Sequence, residues 1–377
     1  LTCDLNLAKT KRNVGVSLAR IIERERIAHT TAFRSATESR GVIDTYLYDK
    51  PYNGIYIKDN AADTGDDSAT VPSVPFWDSP DIWIRNADDG GTVHQDTKSL
   101  QDNFIYVRVR NSGTVPSKEI TVNVFVAKFA GSQFQYPEDW RVEDLLGTQV
   151  FASVPARGEV ITSFKWARRD IPSSTSHPCL LAEILPIHPS KTGLREVWQD
   201  RRIAQKNVTV IGLDVQALSS RPEPLRFPFQ IGSRSFPNRW VGIRIRQREG
   251  QRVQDVALDL GREDWLGRIE CWERMTVREG DAGESPRARR AGLSDLVQGG
   301  EIIEQNGFPT FKISDAMSGG EIVLPLLEAE RREVTLSLNR LDFKEPSSAS
   351  NIRFEITQLN EENQVVGGLD FIIKRRK

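Results

Sequence analysis

"NFIYVRVRNSGTVPSKEITVNVFVA", residues 103–127, decides how the rest of the chain is read. Ile105, Val107 and Val109 alternate with Tyr106, Arg108 and Arg110, and Ile120, Val122, Val124 and Val126 are opposed by Thr121 and Asn123. A strand sends successive side chains to opposite faces, so each run has one face fit for a core and one for solvent. Asn111, Gly113 and Pro116 between the runs supply turn chemistry. The stretch predicts two half-buried strands joined by a turn.

Working outward, "SPDIWIRN" (79–86) precedes this pair, and "TQVFASV" (148–154), "EVITSFKWA" (159–167), "CLLAEIL" (179–185) and "IAQKNVTVI" (203–211) follow it. Short strands separated by turn signals indicate an all-β sandwich. The pattern then restarts with "PLRFPFQIG" (224–232), "RWVGIRIRQ" (239–247), "VQDVALDL" (253–260) and "GRIECWERM" (267–275). "GEIVLPLL" (320–327), "REVTLSLN" (332–339), "NIRFEITQL" (351–359) and "QVVGGLDFIIK" (364–374) complete a second set. The charged stretch 278–292, with Gly and Pro, reads as a mobile surface loop.

Residues 1–72 have a different character. Leu18, Ile21, Ile22, Ala28, Ala32 and Phe33 recur near a 3.6-residue period, which predicts one amphipathic helix within 14–41, stopped at Gly41. The acidic, proline-containing stretch 59–75 then reads as a linker or long surface loop. The expected fold class is mainly β, two tandem immunoglobulin-like β-sandwiches preceded by an arm with one amphipathic helix. The domains are 1–72, 73–214 and 215–377, with the two sandwiches expected to fold separately.

Bulk composition narrows the function classes. A chain that is 38% apolar and 27% charged is globular and not a disordered tail. A net charge of −1 gives no global field to recruit nucleic acid or anionic membrane. No apolar run reaches the roughly 20 residues of a membrane-spanning helix. Cys3, Cys179 and Cys271 are odd in number and far apart, which excludes a disulfide framework or a Cys-x-x-Cys site. Leu1 in place of Met is what a processed chain or a fragment would show.

Three of these segments, "SPDIWIRN", 103–127 and "RRIAQKNVTV", resemble the bacterial adhesion-related immunoglobulin-like family called CARDB. In that family a strand ending in an Asn-x-Gly turn precedes another alternating strand, as from Val107 through Asn111 and Gly113 to Val126, and an Ala-Gln-x-Asn-Val segment is matched by Ala204 to Val208. The resemblance covers about 79–212 and departs through long inserts at 128–147 and 186–200. It implies a non-catalytic module of secreted or surface proteins, used in adhesion or assembly, with no catalytic residues and an extracellular or cell-surface location. The rival expectation is an accessory or targeting fragment of a larger secreted hydrolase, with carbohydrate as a further partner.

Candidate sites are few. Asp59, Asp63, Asp66 and Asp67 could supply the several oxygens calcium needs, and Asp78, Asp81, Asp88 and Asp89 form a second acidic run. Neither has EF-hand spacing, and Asp is also an ordinary turn residue. Calcium is the one cofactor the sequence raises. His177 and Cys179 are neighbours, but Cys179 opens an apolar strand and reads as core. No G-x-S-x-G, H-E-x-x-H, P-loop or G-x-G-x-x-G stretch occurs, so the expectation is no enzyme.

Candidate interaction residues come from three places. Arg244, Arg246 and Arg248 alternate on one strand and share a face, where they could meet an acidic partner or be neutralised by Glu249, Asp255 and Glu263. That face has no interleaved aromatics, which argues against single-stranded nucleic acid. Trp140, on the long 128–147 insert, reads as an exposed contact residue. Ile21, Ile22 and Phe33 on the arm would pack on the chain's own sandwich or dock on a protein partner or a second copy.

Overall fold

The computed structural model describes Tyr52 and residues 54–375, apart from 68–71, 73, 99, 172–177, 189–190, 192, 209–210, 214–223, 233–238, 262–295, 306–307, 327–329 and 341–350. The chain divides into two units, Leu1–Asn53 and Gly54–Lys377, and the described residues fall almost wholly in the second. The helix expected within 14–41 and the loop at 278–292 therefore lie outside the described residues, as do His177 and the strand expected at 267–275.

The protein is mainly β. Its first half contains β1 (Ile55–Tyr56), β2 (Ile82–Arg85), β3 (Asn103–Asn111), β4 (Ile120–Ala127), β5 (Gln135–Tyr136), β6 (Leu145–Phe151), β7 (Glu159–Trp166), β8 (Cys179–Leu185), β9 (Arg195–Glu196) and β10 (Ile203–Asn207). One sheet has β3 at its centre, flanked by β7 on one side and by β1 and β2 on the other. The second runs β10-β8-β4-β6, and all these pairings are antiparallel.

The alternation of the 103–127 stretch is met. Ile105, Val107 and Val109 are fully buried, as is Val122, while Ile120 and Val124 are 1% exposed. The turn between them is fastened by Asn111, whose Oδ1 accepts from the Gly113 N–H at 2.9 Å and whose Nδ2 donates to the carbonyls of Val115 and Val154.

The second half contains β11 (Ile211–Leu213), β12 (Leu225–Gly232), β13 (Arg239–Glu249), β14 (Asp255–Asp259), β15 (Val297–Gln298), β16 (Gly300–Gln305), β17 (Phe308–Ile313), β18 (Gly320–Leu326), β19 (Arg331–Arg340), β20 (Asn351–Leu359) and β21 (Val365–Arg375). Sheets ordered β11-β21-β20-β13-β18-β15 and β12-β19-β14-β17-β16 face one another. Their shared core is built from Phe227, Phe229, Ile243, Ile245, Leu258, Phe311, Leu324, Leu336, Phe354, Ile356 and Phe371, among others.

Two features depart from the sequence reading. The stretch 1–72 reads as arm and linker in sequence, yet residues 54–67 are woven into the first half. Ile55 and Ile57 are fully buried, β1 pairs with the end of β3, and the Ile57 N–H donates to the Arg201 carbonyl at 2.9 Å. The inserts 128–147 and 186–200 also pair with each other, β5 against β9, and lie over the outer face of the β10-β8-β4-β6 sheet.

This layer buries Trp140, against the expectation of an exposed contact residue. The tryptophan is 1% exposed, donates its indole N–H to the Ala182 carbonyl at 3.1 Å, and packs edge-on to Tyr136. It belongs to a second small core with Phe76, Trp77, Phe125, Phe134, Leu181 and Ile203, and is not available as a contact residue. The reason is topological: an insert that closes on a sheet face buries its aromatics there.

The two halves touch backbone to backbone where β21 carries Gly367 and Gly368. A Cβ on Gly367 would stand 1.9 Å from the Ser132 carbonyl oxygen, and one on Gly368 would stand 2.6 Å from the Trp77 ring. Both positions need the absence of a side chain. Gly367→Ala is expected to lower stability by about 1–3 kcal/mol, the usual cost of overpacking. Urea unfolding of the full chain checks this, and an unchanged midpoint would contradict the contact.

Candidate functional site

A buried polar array lies where the insert layer of the first half meets the second half. Gln358 of β20 is its centre. Its Oε1 accepts from the Ser132 hydroxyl at 2.5 Å and the Gly232 N–H at 2.9 Å, while its Nε2 donates to Gln133 Oε1 at 2.6 Å. The Nε2 groups of Gln133 and Gln135 both donate to Glu196 Oε1, at 2.5 and 2.8 Å. An amide accepts and donates at once, so Gln bridges two halves without burying a second charge.

Charged groups flank this centre. Arg331 Nη2 pairs with Asp139 Oδ2 at 2.5 Å, and its guanidinium lies 5.1 Å from the centroid of Phe129 and 5.4 Å from that of Phe134. Asp139 also accepts from the Gln135 N–H, which fixes the insert that carries it. A second seam joins Trp77 Nε1 to Asp370 at 3.4 Å, with Asp370 held by Arg353 at 3.0 Å. Asn207 Nδ2 donates to the Gly368 carbonyl at 3.0 Å. These contacts clamp. They present no nucleophile beside a base.

The acidic candidates do not assemble as one ligand set. Asp59 and Asp63 meet, the Asp59 N–H donating to Asp63 Oδ2 at 3.1 Å. Asp66 is exposed and accepts from the Thr64 hydroxyl. Asp67 faces Arg201 at 3.2 Å and Lys191 at 3.1 Å. Among the described residues no group of three or more His, Cys, Asp or Glu side chains is placed to hold a metal ion. In the second run, Asp81 is fully buried and takes two hydrogen bonds from Arg110 at 2.7 and 2.9 Å. Asp78 pairs with Lys206, Asp88 accepts from Tyr106, and Asp89 pairs with Arg85.

Asp59 and Asp63 differ from the others, burial raising both carboxyls above the ordinary value. Burial, then the neighbouring Asp63 charge, pushes the Asp59 carboxyl up to about 7. Burial pushes Asp67 up as well, but hydrogen bonds from Arg201 and Lys191 more than offset this and its pKa lies below the ordinary value.

The arginine stripe is neutralised across strands. Arg244 pairs with Glu321 of β18 at 2.9 Å, and Arg248 pairs with Glu355 of β20. Arg246 Nε donates to the Met317 carbonyl at 2.9 Å. Glu249 and Asp255, the partners suggested by proximity in sequence, face Arg353 and Lys312 instead. Cys179 is 2% exposed, on the face of β8 beneath the inserts, and burial pushes its thiol up to about 12. A thiol held so far above neutrality is not a ready nucleophile. Trp77, Trp83, Trp140 and Trp166 are buried, and Trp198 and Trp240 are half-buried, so the described tryptophans offer no exposed platform.

No protein-family model matches the chain, and none of the curated proteins does. Among solved structures the chain is similar to the CARDB domain of the PF1109 protein from Pyrococcus furiosus, at 15% identity over 34% of this chain and 87% of that one, with a TM-score of 0.21. Red sea bream transglutaminase matches at 8% identity over 78% of this chain and 31% of that one, with a TM-score of 0.22. The collagen adhesin from S. aureus matches at 7% identity over 78% and 92%, with a TM-score of 0.18. At such TM-scores none of the three bears on what this chain does.

One pH dependence follows from Asp59. Its folded pKa of about 7 lies above the ordinary 3.8, so the folded chain keeps a proton that the unfolded chain releases. Its contribution to stability therefore falls as pH rises from about 4 to about 7. Asp59→Asn is expected to raise the melting temperature at pH 8 and to change it less at pH 4. Thermal melts of both chains across that range check the sign, and a larger gain at pH 4 would contradict it.

Proposed function

We propose that this chain is a non-catalytic structural and interaction protein, built as two immunoglobulin-like sandwiches, about 54–214 and 215–377, that serve adhesion or assembly outside the cell. The observation that carries the reading is the joint: Gln358, Gln133, Ser132 and Arg331 spend buried polar groups on holding one half against the other. A chain that fixes the relation of two sandwiches this way suits a spacer that presents surfaces at a set separation. The polar clusters described above are committed to folding contacts, which favours this reading over an enzyme. The buried tryptophans likewise favour it over a carbohydrate-binding accessory fragment of a hydrolase.

In this proposal the arm carries the docking residues Ile21, Ile22 and Phe33, which meet a protein partner or a neighbouring copy. Because Ile55 and Ile57 are fully buried, a clean deletion stops before Gly54. Removing residues 1–50 is expected to leave the thermal unfolding of the remainder in place and to weaken self-association or partner capture. Sedimentation velocity and a pull-down on both chains read the result. Unchanged association in both would sink the docking role, and a real hydrolytic activity lost in a folded Cys179→Ala chain would sink the non-catalytic reading.

A further inference from the structure

Sheet edges invite pairing with other chains, and proteins usually blunt them with charge, proline or short length. Most described edges here follow that rule: β16 carries Glu301 and Glu304, β7 carries Glu159 and Lys165, β12 carries Arg226 and Pro228, and β10 carries Lys206. β6 does not. Its seven residues, Leu-Leu-Gly-Thr-Gln-Val-Phe, hold neither charge nor proline, and among the described residues only β4 pairs with it. Thr148, Gln149 and Val150 are all exposed, Val150 at 49% and Leu145 at 39%.

We propose that β6 is a self-association edge, pairing antiparallel with β6 of a second copy of this chain about a two-fold axis. The charge pattern argues for a copy of itself. In an isologous pair every residue of the strand is presented twice, so a charged edge would bring like charges together. β16, with its two glutamates, could not do this, whereas the neutral β6 can. A register shift against β4 at Val124/Phe125 leaves Gly147–Phe151 as the regular stretch. Centred on Gln149, self-pairing sets Gln149 against Gln149, Thr148 against Val150, and Gly147 against Phe151. The two β10-β8-β4-β6 sheets then become one continuous sheet of eight strands, with the unpaired backbone groups of both edges satisfied.

This inference rests on the reading of the chain as an assembly protein but uses a surface separate from the arm. The test is sedimentation velocity of the full chain with Val150→Lys and Thr148→Lys, beside Ile161→Lys on the outer face of the neighbouring sheet. Each edge lysine is expected to weaken dimerisation roughly tenfold, because its two copies then lie diagonally across the pairing on one face, within reach of each other. Ile161→Lys is expected to leave it unchanged. Gln149→Cys, with Cys3 and Cys271 changed to Ser, should give a disulfide-linked dimer on oxidation. A full chain that stays monomeric, or a dimer untouched by both edge lysines, overturns the proposal. A dimer lost in Ile21→Asp, Ile22→Asp but kept in Val150→Lys makes the arm the self-association surface and overturns it as well.

Discussion

The contact of Gln358 with Gln133 and Ser132, admitted by the side-chain-free positions Gly367 and Gly368, is the constraint on which the arrangement of the described protein depends. Hydrogen bonds between two uncharged amides are short-range and directional, so they hold a geometry instead of merely holding two surfaces together. Glu196 on one flank and the Arg331–Asp139 pair on the other extend the array into both halves. Leaving any of these groups buried without a partner costs more than the bond itself contributes, which makes the array act as a unit.

Much of this fold was legible because strands of two-sheeted proteins write their faces into a period of two. Ile105, Val107 and Val109 point into the core as their alternation required. The inserts were legible as inserts but not as a layer, because β5 and β9 pair at Gln135 and Glu196, some sixty residues apart in the chain. Trp140 was misread for the same reason: its burial is created by a partner segment that local sequence does not name. The short Ile55–Tyr56 strand was invisible as well, since two residues carry no period.

The charged side chains teach a related lesson. Arg244 and Arg248 share a face as their spacing required, yet their partners are Glu321 and Glu355 on the strands either side of β13. Sheet register, which no one-dimensional pattern gives, decides such pairs. The Asp59–Asp67 run shows the converse. Neighbours in sequence, these carboxylates part company in space, Asp67 turning to Arg201 while Asp59 and Asp63 fold over one another. What looked like a ligand set is a set of separate structural contacts, with one buried carboxyl left sensitive to pH.

The joint makes the two halves one body. Spin labels at Ser153→Cys and Glu304→Cys, both exposed and on opposite halves, read it directly in a chain with Cys3 and Cys271 replaced by Ser. Pulsed electron-spin distance measurement is expected to give one narrow distribution that broadens when Gln358→Ala and Arg331→Ala are combined. A broad distribution in the chain with its joint intact would mean that the two halves move independently and that the joint does not hold them.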